Sequence, residues 1–339
     1  MAVIKANAYG HGAIQVASTA AKAGAEWLAV ARIEEALSLR DEGIVTPVLV
    51  LGYTHPYFVP QAIIRDISLT VFDKDTINAY LKQANRMGKA LKIHVKIETG
   101  MGRLGLFPDE GYPFIQWLKE QQWINLEGVF THFARADEPD CPVTGQQIEK
   151  FTTFIKQLEK GKLRPQWVHA CNSAGILNFP QAHFDMVRPG ISMYGLNPSK
   201  QTRVPSDFQP ALVWKSRLVS LKEFPPGHGI SYSHLYTTQN DERIGAISVG
   251  YADNFRRQDG NIALVGGKRV KVVGRVCMDQ CMVQLDCVTD PQVGDEVILI
   301  GKQGQETITA DDVADIWHTA NYEVVANLAS RLPRLYLNP

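Results

Sequence analysis

Over its first two hundred residues the chain alternates short apolar, β-rich runs with helix-length amphipathic stretches, and this repeat is its tightest constraint. The runs predict strands at 2–5, 26–32, 47–52, 68–72, 91–98, 126–133, 166–171 and 186–188. Between them lie helical patterns such as 13–23 and 33–41, the latter ended by Gly43. Strands that each lead into a helix-sized segment fit a (β/α)8 barrel better than an open sheet. Residues 198–210 are polar and proline-rich and read as a linker. Beyond them the pattern is β: 214–224, 243–250, 262–274, 280–286 and 296–301, with Gly266-Gly267 placed as a tight hairpin turn and a final helix over 310–318. The expected fold is therefore α/β: an N-terminal (β/α)8 TIM barrel over residues 1–207, then a smaller, mainly-β C-terminal domain over 208–339.

Composition narrows the function. At 339 residues the chain exceeds one ordinary core. Its 35 basic residues balance 35 acidic ones with no like-charged block, so neither a nucleic-acid surface nor a polybasic membrane anchor is expected. No apolar run approaches the roughly 20 residues of a membrane span, and the N-terminus does not read as a signal peptide. The five cysteines are scattered, and Cys277 and Cys281 lack a second pair with zinc-ligand spacing. A cytoplasmic enzyme with reduced thiols, no metal and a small-molecule substrate is the expectation.

In (β/α)8 barrels the chemistry sits at the C-terminal ends of the strands. There the sequence places Lys5 as the last residue of the first strand, with Tyr9 in the following turn, Arg103 beyond the fifth, His132 at the end of the sixth, Asn172-Ser173 after the seventh, and Arg188, Gly190 and Ile191 at the end of the eighth. Singly, each has a bland reading: a strand-end lysine is usually solvated and a lone histidine is usually structural. Their convergence on one mouth argues for a site. Late-strand loops commonly hold phosphate, and Ser173 with the amides of Gly190 and Ile191 suits an anion. A lysine at the same mouth can condense with an aldehyde. Lysine, phosphate cup and aromatic floor together suggest pyridoxal 5′-phosphate. Gly100-Met-Gly102-Arg-Leu-Gly105 matches a dinucleotide fingerprint, but Pro108 is expected to interrupt the helix that motif needs. Met278-Asp279, on the sequence alone, reads as a turn between strands.

These residues resemble alanine racemase. The segment Ala2-Val-Ile-Lys5-Ala-Asn-Ala-Tyr9-Gly-His-Gly12 is similar to the family's lysine motif. Further matches are Thr99-Gly-Met-Gly-Arg103-Leu-Gly, Thr131-His132-Phe, Asn172-Ser173-Ala, Arg188-Pro-Gly-Ile-Ser-Met-Tyr194-Gly, Gly229-Ile-Ser-Tyr232, Gly250-Tyr251-Ala-Asp253 and Gly274-Arg-Val-Cys-Met278-Asp279-Gln, in the family's order over essentially the whole chain. The family's opening strand and helix ahead of the lysine strand have no counterpart, so either a late start or a longer parent chain is expected.

The resemblance implies that Lys5 holds the cofactor and exchanges a proton on the D face of the substrate, while Tyr232 does so on the L face. His132, linked to Arg188, assists the tyrosine. Arg188 faces the pyridine nitrogen and, as a guanidinium, keeps it unprotonated. Arg103 and the Met278 backbone hold the substrate carboxylate, with Asp279 nearby and Tyr251 supporting. Lys96 matches a lysine often carbamylated to orient the arginine. Tyr9, Ser173, Gly190 and Ile191 match phosphate contacts. Tyr232 and Met278 reach the barrel mouth of a partner subunit in the family, which implies a head-to-tail homodimer. Alanine is the expected substrate, with D-alanine destined for peptidoglycan.

Two departures stand out. Asn254 replaces the glycine of Gly-Tyr-Ala-Asp-Gly, a turn change Asn tolerates. Ser330 stands where some relatives have a tyrosine that narrows the substrate space, which opens serine, lysine or a broader set as alternative substrates. A barrel decarboxylase shares the two-domain plan but has no need of a second-face base. A cofactor-carrying regulatory protein on the same barrel predicts a single domain.

Overall fold

The computed structural model describes residues 1–337; the last two residues of the expected second domain lie outside them. Seven parallel strands form one sheet in sequential order: β1 (Ala2–Val3), β2 (Leu28–Val30), β3 (Val48–Val50), β4 (Ile67–Val71), β5 (Leu91–Lys96), β6 (Ile124–Phe130) and β7 (Trp167–His169). β2, β3 and β4 are buried along their whole length, as a sheet covered on both faces demands. The helices between them are α1 (Ala13–Lys22), α2 (Ile33–Asp41), α3 (Val59–Ile64), α4 (Lys74–Met87), α5 (Pro108–Lys119), α6 (Pro142–Lys160) and α7 (Ser173–Asn178).

The eighth stave differs from the expected strand at 186–188. Met186 bridges to His169, Asp185 and Arg188 N–H donate to the Val168 and Cys171 carbonyls at 3.1 and 3.0 Å, and the barrel closes by a bond from Val3 N–H to the Pro189 carbonyl, 3.0 Å. The stave is thus held by scattered single bonds rather than a continuous ladder, and Pro189, lacking an N–H, accepts without donating back. Lys5 is likewise not a strand residue. β1 ends at Val3, and the backbone then turns left-handed through Ala6, Asn7, Ala8 and Tyr9, with φ of 52°, 52°, 54° and 52°. Each such residue costs about 1–2 kcal/mol, so neighbours must hold the turn. Ala6 N–H donates to Glu35 Oε1 at 2.6 Å, Ala8 N–H to the Ile4 carbonyl at 2.9 Å, and Asn7 Oδ1 accepts from Ala13 N–H at 2.8 Å.

The chain divides into two compact units, one of 1–8 with 12–209 and the other of 9–11 with 210–339. In the second, β8 (Trp214–Phe224), β11 (Glu242–Ile247), β12 (Ile262–Val265), β13 (Lys268–Val273), β14 (Cys281–Gln284), β15 (Glu296–Gln303) and β16 (Glu306–Ile308) form an antiparallel sheet in the order β12-β13-β14-β11-β8-β15-β16. An added β12–β15 pairing closes β12, β13, β14, β11, β8 and β15 on themselves, with β16 joined to β15. Gly266 and Gly267, with φ of 56° and 74°, make the β12–β13 hairpin, the conformation a two-residue turn requires. A small ribbon of β9 (Gly229–Ile230) and β10 (Tyr236–Thr237) and the helices α8 (Ala310–Ile316) and α9 (Asn321–Ala326) complete the unit. The ribbon and α9 carry no periodic apolar pattern long enough to be read in the sequence.

Candidate active site

The barrel unit draws Lys5, Lys96, Arg103, His132, Ser173, Arg188, Gly190 and Ile191 to its strand ends. Lys5 is largely buried, and its ammonium pKa is lowered by that burial first and by Arg103 and Arg188 next, against an upward pull from Glu35. Lys96, the last residue of β5, is 3% exposed, and burial, Arg103 and Arg188 bring its pKa down to about 8. Its ammonium lies 5.7 Å from the Phe130 ring centroid.

Arg188 is the most enclosed charge of the mouth. Burial lowers its pKa to about 10. It donates from Nη2 to the carbonyls of Thr131 and Ala170, each at 2.8 Å, lies 3.3 Å from His132 Nδ1, and donates from Nη1 to His169 Nδ1 at 2.8 Å. All four partners are neutral groups, because burial and the nearby cations hold His132 and His169 well below the usual imidazole range. Both imidazoles are therefore uncharged acceptors at neutral pH.

The Arg103 loop is built on Glu98. Its carboxylate accepts from the backbone N–H groups of Gly100, Met101, Gly102 and Arg103, the Met101 bond measuring 2.6 Å. Against the upward push of partial burial, these donors hold the Glu98 pKa below the ordinary carboxylate value. This disposes of the dinucleotide reading for a reason different from the expected one: the amides a pyrophosphate needs are already taken. Pro108 does not interrupt the following helix. It opens α5 at its first position, where the missing N–H costs nothing. Gln147 on α6 joins this loop to the sixth strand end, donating from Nε2 to Thr99 Oγ1 at 3.2 Å and to the His132 carbonyl at 3.1 Å.

Ser173 opens α7 after Asn172, whose Oδ1 accepts from Gly175 N–H at 2.9 Å. The Ser173 hydroxyl accepts from the N–H of Gly190 at 2.9 Å and of Ser192 at 3.3 Å, so the seventh and eighth loops form one polar cup, with Ile191 starting the short helix that follows.

The second unit positions the remaining expected residues. Tyr9 is buried, its ring centroid 6.2 Å from that of Tyr322, and burial raises its phenol pKa to about 12. Tyr232 sits in a turn whose neighbours Ser231 and Ser233 adopt left-handed φ of 65° and 60°. Ser231 Oγ donates to the Arg275 carbonyl at 2.6 Å, which ties this turn to the segment carrying Met278. Tyr251 N–H and Ala252 N–H donate to the carbonyls of Cys277 and Met278, each at 3.0 Å, and a side chain at Gly250 would collide with both carbonyls. Arg331 spans the pair of turns, reaching Asp253 at 2.6 Å and Asp279 at 2.8 Å. Met278-Asp279 is thus a turn, as it reads in the sequence, but one tied to a second turn. Glu35, Glu98, His169 and Arg331 were not singled out in the sequence. A histidine just before Cys171-Asn172 was open to the same strand-end argument as His132; the others act through contacts no spacing reveals.

A barrel whose strand ends gather arginines around two lysines of lowered pKa, in a chain that carries a closed antiparallel domain, defines a class: the two-domain, lysine-bearing (β/α)8 enzymes. Family models described as alanine racemase, N-terminal domain, and alanine racemase, C-terminal domain, match residues 1–198 and 211–336. Alanine racemases of Symbiobacterium thermophilum and Carboxydothermus hydrogenoformans are 44% and 43% identical to the chain, over 99% of it and 90% and 92% of their own lengths. The crystal structure of alanine racemase from Bacillus anthracis with bound L-Ala-P superposes with a TM-score of 0.94 at 41% identity, covering 99% of this chain and 88% of that one. Alanine racemase from Streptomyces coelicolor gives 0.94 at 36% identity over 100% and 91%. The chain belongs to the alanine racemase family. The family's cofactor is pyridoxal 5′-phosphate, and the donor set fits it: a primary amine of lowered pKa, a buried guanidinium, and the Ser173 hydroxyl, which accepts from Gly190 and Ser192 N–H and so keeps its own proton to donate to an anion.

Proposed function

We propose that this chain interconverts L- and D-alanine by passing the α-proton between two bases, Lys5 and Tyr232, and so supplies D-alanine for peptidoglycan. The observation that carries this is the full-length likeness to alanine racemases in a chain whose mouth is this densely cationic. Bound pyridoxal 5′-phosphate supplies an electron sink that makes the α-proton acidic. Lys5 holds the cofactor and moves a proton at its Nζ, and the lowered pKa keeps more of that amine in its basic form. Tyr232 moves a proton at its hydroxyl on the opposite face. His132, neutral and held by Arg188, is an acceptor suited to drawing on that phenol.

Arg188 faces the pyridine nitrogen. Surrounded by neutral acceptors, it presents a guanidinium and keeps that nitrogen unprotonated. Tyr9, Ser173, Gly190 and Ile191 hold the phosphate. Arg103, the Met278 amide and Asp279 orient the substrate carboxylate, and Tyr251 braces the Met278 turn. Lys96, carbamylated, exchanges a buried positive charge for a negative one beside Arg103. Nearby cations and a pKa of about 8 both favour that exchange. The enzyme is a cytoplasmic head-to-tail homodimer with its domains divided at 207/208, Tyr232 and Met278 serving the partner's barrel. The high exposure of both side chains supports this.

Ser330 favours a second substrate class beside alanine, because it offers less bulk than a tyrosine. Incubation of the purified holoenzyme with L-alanine, L-serine or L-lysine in D₂O tests the reading. Racemised, α-deuterated alanine is expected, with slower exchange of serine. Release of CO₂ without racemisation would replace it with the decarboxylase reading.

A further inference from the structure

From Arg188 a line of buried imidazoles runs back through the barrel interior, away from the mouth. His169 is fully buried between Arg188 and His94, and its Nε2 lies 3.0 Å from His94 Nδ1. His94 is fully buried too, and its Nε2 has no hydrogen-bond partner among the described residues. The nearest acid to that nitrogen is Glu127, whose Oε2 lies 4.0 Å away and accepts from Ser68 Oγ at 2.6 Å. Lys92 stands 3.8 Å from the other carboxylate oxygen.

The geometry admits one proton arrangement. Arginine has no acceptor, so His169 Nδ1, bonded to Arg188 Nη1, must be the bare nitrogen. A neutral His169 then carries its proton on Nε2 and donates to His94 Nδ1. His94 in turn is bare at Nδ1 and protonated at Nε2, the atom that faces Glu127. Every lone pair points toward the arginine and every N–H toward the carboxylate. Two hydrogen-bonded neutral rings therefore run from a buried cation to within 4.0 Å of an acid, the two bonds polarising one another and the last N–H facing the carboxylate across that gap.

Packing holds the rings in this order. Phe130 stacks on His169 with centroids 4.8 Å apart and planes 6° from parallel. Trp27 meets His94 edge-on at 5.3 Å. Gly128 leaves room for the His94 ring, since a Cβ there would strike it.

We infer that His169 and His94 are positioning residues for the racemase reaction, a one-way donor line through which Glu127 sets the electrostatics and orientation of Arg188. This rests on the reading that Arg188 faces the cofactor's ring nitrogen. The proton arrangement is testable without turnover. In ¹⁵N-histidine-labelled holoenzyme, long-range ¹H–¹⁵N spectra should show two non-titrating neutral rings, each bare at Nδ1 and protonated at Nε2. His94→Phe and His169→Phe assign them; where either fails to fold, Glu127→Gln, which keeps the Ser68 partner, identifies the His94 ring by its shifted Nε2. A ring protonated at Nδ1 or charged at neutral pH overturns the inference. Glu127→Gln should also lower kcat for alanine by about two- to fivefold with KM unchanged, and should shift the cofactor's visible absorbance. Unchanged kcat and absorbance would reduce the line to a structural role. Absence of alanine racemisation in the wild type would strike the functional reading instead and leave the tautomer result standing.

Discussion

At the barrel mouth Arg188 and Lys96 are buried and Lys5 and His132 half-buried among partners of their own unit, while Arg103 is exposed. Arg188 is 3% exposed and hydrogen-bonded from both terminal nitrogens, and Lys5 is followed by a left-handed turn pinned to Glu35. Tyr232 and Met278, in the β domain, are 66% and 52% exposed, although the turns that carry them are tied by backbone bonds and by Arg331. The backbone is equally fixed in both places, but only the mouth is desolvated within one chain. Large apolar side chains on rigid, solvent-facing turns are an unfinished surface. The contrast is what the proposed reading expects, in which Tyr232 and Met278 serve the mouth of a partner subunit.

The severest way to break the mouth is Lys5→Ala, which should abolish activity and the visible absorbance of the bound cofactor. Tyr232→Phe should keep the absorbance while slowing α-proton exchange from L-alanine by about 10²–10⁴-fold, the usual worth of a positioned acid–base group. Unimpaired exchange would remove Tyr232 from its role. The two variants together sharpen the comparison. If the exposed half serves a partner's mouth, mixing the inactive proteins should restore up to about a quarter of wild-type activity, since half the dimers are hybrid and each holds one intact site. No recovery would place both bases in one protomer.

Arg331→Gln probes the ties beneath the exposed half. It removes two charge-assisted bonds, one of them to the buried Asp253. Because Arg331 is itself nearly half exposed, screening limits the loss, and KM for alanine should rise by about three- to tenfold with kcat little changed. An unchanged KM would mean the Met278 turn stands without it. The smallest effect is expected from carbon dioxide. Only the neutral amine of Lys96 forms a carbamate, so with its pKa at about 8 the modification weakens as pH falls below that value and strengthens above it. Removing CO₂ should raise KM a few-fold, bicarbonate should restore it, and the response should be larger at pH 8.5 than at pH 6.5. The same KM with and without CO₂ would leave Lys96 an unmodified cation.

Much of this was legible beforehand because strands and helices repeat with periods that burial imposes. Strand β8 and helix α2 have the bounds the pattern predicts. The eighth stave differs from its expected form because it pairs through an isolated bridge and scattered single bonds rather than a ladder, which the apolar run alone does not reveal. The left-handed turn after Lys5 was invisible for a different reason: Asn7 alone of its residues tolerates that conformation locally, Ala6, Ala8 and Tyr9 do not, and a bond to Glu35, from another helix, helps to hold it. Strand-end placement made Lys5, Arg103, His132 and Arg188 candidates, whereas Tyr232, Met278 and Asp279 had no bottom-up signal beyond the likeness to a family.

By itself the sequence determined the alternation that closes the barrel, the β character of the rest, and which reactive residues stand at strand ends, since these depend on short-range pattern. Tertiary structure decided everything that depends on what lies across a gap. Burial made Lys96 and Lys5 weaker bases and the two imidazoles neutral, because desolvation penalises charge only once neighbours exclude water. It decided, too, that an arginine at the mouth looks back through His169 and His94 toward Glu127, three residues whose spacing in the chain says nothing of their order in space.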